Sequence, residues 1–135
     1  MKYIFNVHTY YEDTDAGGII YHANYLKFAE RARTEFLHEL GMTHKELVKQ
    51  DGMFVVSRIE IDYTKPAFLE DKLCIATSVE KLGAATVVLD QRITRANEQI
   101  CALKVYLAFI SRTSLRPIRF GEDFKNKMIV YKNKD

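Results

Sequence analysis

Asn24-Tyr25-Leu26-Lys27-Phe28-Ala29-Glu30-Arg31-Ala32-Arg33-Thr34-Glu35-Phe36-Leu37-His38-Glu39-Leu40 is the stretch that decides the fold. Tyr25, Phe28, Ala29, Ala32, Phe36 and Leu40 recur at steps of three or four residues. That spacing lines them along one face of an α-helix. Asn24 reads as the N-cap, because its side chain can accept from unpaired amides of the first turn. Gly41 stands where a left-handed residue ends a helix, with Met42 placed to pack back on Leu37. Thr43-His44-Lys45-Glu46 has capping-box spacing and predicts a short second helix to about Gln50. Glu30 to Arg33 reads as a charged outer face, with Glu30 and Arg33 spaced to pair.

On either side of these helices the pattern changes to period two. Tyr3, Phe5, Val7, Thr9 and Tyr11 alternate with other side chains and predict a strand over Tyr3–Tyr11. Later, Ser57, Ile59, Ile61 and Tyr63 oppose Arg58, Glu60 and Asp62. Leu73, Ile75, Thr77 and Val79 oppose Lys72, Ser78 and Glu80. Val87, Leu89 and Ile93 oppose Asp90, Arg92 and Thr94, and Cys101 to Phe109 alternates likewise. Leu82-Gly83-Ala84 and Ala96-Asn97-Glu98 have turn chemistry. Short links of this kind join antiparallel neighbours. The expected order is strand, long helix, short helix, then four strands: an α+β domain whose sheet lies against the helix. An open sheet of about five strands has two edges to protect, and homo-oligomerisation would cover one.

The 135 residues suit a single domain spanning 1–135. Hydrophobic residues at 47% and charged residues at 28% are ordinary for a globular chain. No run approaches the twenty or so apolar residues of a membrane span. Met1 to His8 lacks the apolar stretch and cleavage site of a signal peptide, so a cytoplasmic protein is expected. Cys74 and Cys101 match no CxxC pattern and read as buried small hydrophobes. The net charge is +2, but residues 112–135 carry seven basic and three acidic side chains. That excess is too small for a nucleic-acid surface. It suits either a small polyphosphate ligand or a solvated tail.

Chemistry-bearing residues concentrate just before the long helix. Between Glu12 and His22 lie three carboxylates (Glu12, Asp13, Asp15) and one imidazole. A helix start offers unpaired N–H groups and partial positive charge, which can stabilise an oxyanion. Gly17 and Gly18 let backbone approach a ligand, and a nearby carboxylate can act as base or nucleophile. Together these suggest acyl transfer. Asp13-Thr14-Asp15 also reads as turn chemistry, or as a holder of a divalent cation. His8, His38 and His44 lack metal-ligand spacing and read as structural or surface residues. Nucleophile-elbow, HExxH, P-loop and dinucleotide fingerprints are absent.

The stretch Tyr11 to Glu35, YEDTDAGGIIYHANYLKFAERARTE, resembles the signature of hotdog-fold acyl-CoA thioesterases of the 4-hydroxybenzoyl-CoA thioesterase class. It is most similar to their Tol–Pal-associated (YbgC-type) branch. The likeness extends more loosely from residue 3 to Pro117, through Tyr63-Thr64-Lys65-Pro66-Ala67 and Leu115-Arg116-Pro117. It implies a long central helix wrapped by a five- or six-stranded antiparallel sheet, and a homodimer or homotetramer with sites at the subunit interface. It also implies acyl-CoA as substrate, acyl carrier protein as an alternative carrier, and a link to envelope or phospholipid-synthesis proteins. By position, Asp15 matches the family's catalytic aspartate and His22 the branch's histidine. The oxyanion contact corresponds to the backbone N–H around His22. Gly18, Tyr21 and Asn24 fall in the same substrate-binding motif. For the phosphates of CoA, Lys81, Arg112 and Arg116 are the candidates, or else ordinary solvated charges. No metal or redox cofactor is expected. A hotdog dehydratase and a non-catalytic acyl binder are the competing readings.

Overall fold

The computed structural model describes residues 1–133. Its chain order is β1 (Tyr3–His8), α1 (Asn24–Glu39), α2 (His44–Lys49), β2 (Gly52–Tyr63), β3 (Lys72–Leu82), β4 (Thr86–Arg95), β5 (Glu98–Ser111) and α3 (Glu122–Ile129). The five strands form one antiparallel sheet in the order β1-β3-β4-β5-β2. Phe28, Ala29, Ala32 and Phe36 of α1 bury against the inward rows of the sheet, including Ile75, Leu89, Leu103 and Val105. This is the hotdog arrangement, a sheet wrapped around a central helix. Among the described residues no helix is long and apolar enough to cross a membrane.

Local signals account for most boundaries. Gly41 has φ +87°, and Met42 N–H donates to Leu37 O at 2.8 Å while Gly41 N–H donates to His38 O at 2.9 Å. Those two bonds are a Schellman ending. Thr43 Oγ1 accepts from Glu46 N–H at 3.3 Å and starts α2. Glu46 does not return the bond; its carboxylate accepts from Gln50 Nε2 instead. Ala96 and Asn97 both have positive φ, the mark of a tight hairpin between β4 and β5.

Several expectations need correction. The first strand stops at His8, and Tyr11–Asp13 forms a 3-10 turn, because the Asp13 carboxylate draws Tyr10 N–H inward at 2.8 Å. Strand β2 begins five residues earlier than the alternation indicated, and a bulge between Val56 and Arg58 takes Ser57 out of register. Arg33 is not on a charged outer face. It is buried and donates to Gln91 Oε1 at 3.1 Å, while Gln91 Nε2 donates to Ala29 O and Thr77 Oγ1. Burial pushes its guanidinium pKa down. Cys101 is fully buried, and its thiol is pushed up to about 12, whereas Cys74 is only half-buried. The basic tail is not simply solvated: Phe120, Phe124 and Met128 bury into the core, and α3 lies on β3. Beyond α3, Val79 N–H donates to Tyr131 O and Asn133 N–H to Val79 O, so the chain end extends the β3 edge.

Candidate active site

The segment between β1 and α1 doubles back on itself. Asp15 N–H donates to Ile19 O at 2.9 Å and Tyr21 N–H to Asp13 O at 2.8 Å, with Thr14 bridged to Ile20. Gly18, at φ +84°, makes the reversal. Asp13 is buried at its root. Its Oδ2 accepts from Tyr10 N–H and its Oδ1 from Asn24 Nδ2, both at 2.8 Å. Asn24 is therefore not the N-cap that the sequence predicted. Ala23 occupies that position, and no side chain caps the helix. Ala23 already has helical backbone angles (φ −71°, ψ −19°), which places Asn24 inside the first turn, where its amide donates to the buried Asp13 carboxylate.

The consequence is a bare helix start. The first turn of α1 holds no acidic side chain. Tyr21 and Asn24 N–H groups are used, by Asp13 O and Tyr21 O. The N–H groups of His22 and Ala23 take no partner among the described residues. Unpaired donors beside the positive end of a sixteen-residue helix are chemically able to stabilise an anionic oxygen.

Asp15 is exposed, and its Oδ1 accepts from Gly17 N–H at 2.8 Å; its other oxygen has no partner among the described residues. Asp15 lies across from Ile19, three residues before His22, or roughly 10 Å along that arm at strand spacing. The His22 ring is exposed, 4.6 Å from the Tyr21 ring and 6.3 Å from that of Tyr63. Tyr63 Oη donates to His22 O at 3.0 Å and so braces the helix start from β2.

His22 also lines a cleft of about 310 Å³, with Ile19, Ile20, Tyr25 and Tyr63 as apolar walls and Thr64 to Pro66 along one side. Tyr25 is buried there, its Oη accepting from Ala67 N–H at 3.0 Å. Burial raises the pKa of Tyr25, partly opposed by the Ala67 bond, and burial raises that of Tyr63 as well. Both phenols stay neutral donors at physiological pH.

The structure thus brings Asp15, Gly18, Tyr21 and His22 together in one loop. Asn24 is beside them but spends its amide on Asp13. The basic candidates are elsewhere. Arg112 Nε donates to Gly52 O at 2.8 Å, beside a second cleft lined by His38 and Phe54. Arg116 is exposed on the following turn, and Lys81 of β3 pairs with Val88 of β4. In this register Arg112 and Arg116 lie at the Gly52 end of the sheet and Lys81 lines up, through Val88 and Tyr106, with Arg58 in the middle of β2, whereas His22 sits at the Tyr63 end, roughly 30 Å from Gly52 along β2. Reasoning from the sequence did not single out Tyr63 and Lys65, which line the cleft beside His22. Their only signal was that Tyr63-Thr64-Lys65-Pro66-Ala67 carried part of the family resemblance.

Comparison with known proteins gives the family. The profile of the thioesterase superfamily matches residues 17–102, starting two residues after Asp15. The chain is 40% identical over 122 residues to the acyl-CoA thioesterase YbgC of Haemophilus influenzae, covering 90% of both chains. It is 38% identical to the acyl-CoA thioester hydrolase YbgC of Escherichia coli over 82% of this chain and 84% of that one. A probable thioesterase from Bartonella henselae superposes with TM-score 0.84 at 33% identity, over 90% of this chain and 100% of that one. The chain belongs to the thioesterase superfamily.

Proposed function

We propose that this protein is an acyl-CoA thioesterase, which adds water to a thioester and releases a carboxylic acid and CoA. The observation that carries the reading is the uncapped start of α1, with free His22 and Ala23 N–H groups and Asp15 held in the loop that leads into it. The thioester carbonyl oxygen accepts from those N–H groups. As the carbon becomes tetrahedral, negative charge grows on that oxygen, and the fixed donors favour it more than the ground state. Asp15 either takes a proton from the attacking water or attacks the carbon itself, giving an anhydride that water then opens. The thiolate leaves without strong acid help, since its conjugate acid has a pKa near 8.5. His22 and Tyr21 line the approach, and Gly18 keeps it open.

The same reading includes a cytoplasmic homodimer or homotetramer, with acyl carrier protein as an alternative carrier and a link to envelope or phospholipid-synthesis proteins. The two bare sheet edges, β1 and β2, support assembly. Val56 and Tyr63, each 47% exposed, give β2 apolar surface.

Thiol release from a panel of acyl-CoA esters tests the reading on wild-type protein and Asp15→Asn. Asparagine can still accept from Gly17 N–H, so the fold should hold while turnover drops about 10²-fold or more. A fully active Asp15→Asn protein, or wild type that binds esters without releasing thiol, would refute it.

A further inference from the structure

Among the described residues Lys65 is the only lysine or arginine lining the His22 cleft, and no carboxylate lines it. Its backbone is fixed: Thr64 and Lys65 N–H groups both donate to Ile100 O, at 2.8 and 3.1 Å. Its Nζ rests 3.1 Å from Glu98 Oε2, with both side chains about half exposed. Glu98 has a second cation, because Arg95 Nη2 lies 2.9 Å from its other oxygen. Arg95 is itself anchored on Asp71 at 2.7 Å. Lys65 first, then Arg95, hold the Glu98 carboxyl below the usual carboxylate range. Lys65 can therefore turn into the cleft without leaving Glu98 unpaired. The exposed pair it gives up contributes little. An anion inside the apolar cleft would meet it at lower effective dielectric.

We propose that Lys65 selects acyl groups bearing a carboxylate of their own, a few carbons beyond the thioester, and passes Glu98 to Arg95 when such a substrate binds. The proposal rests on the thioesterase reading and names the substrate class for that site. The phosphates of CoA fit worse. The nearest stands on the order of 15 Å from the sulfur along an extended arm, at the extension per bond of a polypeptide. A sphere of about 310 Å³ is only about 8 Å across.

The test compares glutaryl-CoA with pentanoyl-CoA, which differ in one terminal carboxylate, on wild type, Lys65→Met and Lys65→Arg. Lys65→Met should lower kcat/KM for glutaryl-CoA at least tenfold, chiefly through KM, and leave pentanoyl-CoA within twofold. Lys65→Arg should keep most of the glutaryl activity. Equal losses on both esters, or none on either, overturn the proposal. So does a loss on pentanoyl-CoA that vanishes with pentanoyl-N-acetylcysteamine, which would assign Lys65 to CoA phosphate. If wild type cleaves both esters and Lys65→Met changes neither, only this proposal fails. If it cleaves neither ester, the thioesterase reading fails with it.

Discussion

Asn24 Nδ2 donates to Asp13 Oδ1 at 2.8 Å, and both residues are buried. This one bond couples the loop that carries Asp15 to the first residue of the central helix. It fixes Asn24 inside the first turn, just after the His22 and Ala23 N–H groups, which take no partner among the described residues.

Asp13→Ala should therefore damage both stability and turnover. It leaves the Asn24 amide and Tyr10 N–H without their acceptor, at about 1–3 kcal/mol for buried groups. Melting should fall by roughly 5–10 °C. Asn24→Ala should cost a similar amount, and the double variant clearly less than the sum, as a thermodynamic cycle on thermal melts would register.

The paired glycines should separate activity from stability. A Cβ on Gly17 would meet Asp15 Oδ1 at 3.3 Å, closer than ordinary contact. Since Asp15 is exposed, its carboxylate can move aside cheaply, so Gly17→Ala should barely change the melt. A displacement approaching 1 Å at a reacting group costs up to about 10²-fold in rate. Gly18→Ala should do the reverse. Nothing lies within 4 Å of its Cβ, but φ +84° strains any L side chain by about 1 kcal/mol. Equal kcat values for the two variants would count against Asp15 as the reacting group.

Acid sensitivity should map to Asp51 at the turn into β2. Ser111 Oγ donates to its carboxylate at 2.6 Å and Thr113 Oγ1 at 3.0 Å, and these bonds, Ser111 first, lower its pKa. A carboxyl whose folded pKa lies below its unfolded value adds stability above the unfolded value, near 4. That stability is lost as pH falls through the folded pKa. The stability gap between wild type and Ser111→Ala in urea should thus be wider at pH 7 than at pH 3. An unchanged gap would mean that the carboxylate charge plays no part.

Reading the chain alone recovered what local periodicity encodes. Helix α1, its Gly41 ending, the Thr43 start and the β4–β5 hairpin each depend on residues within a few positions of one another. The errors came where a distant or competing partner outweighed local preference. Arg33 turned inward because Gln91, 58 residues on, offers an acceptor in the core. The tail became α3 because Phe124 and Met128 find an apolar surface that earlier strands create.

For the candidate site the same division holds. Asp15, Gly18, Tyr21 and His22 were legible because one loop carries them all, and a loop's hydrogen bonds are local. Sequence alone settled that this chain is an α+β domain with a carboxylate-rich segment leading into a long amphipathic helix. Only the tertiary structure set β2 beside β5, brought Tyr63 and Lys65 to His22 across some forty residues, and sent Arg112 and Arg116 to the far end. Strand order and register follow from which apolar faces bury together over the whole chain, and no window of neighbouring residues contains that information.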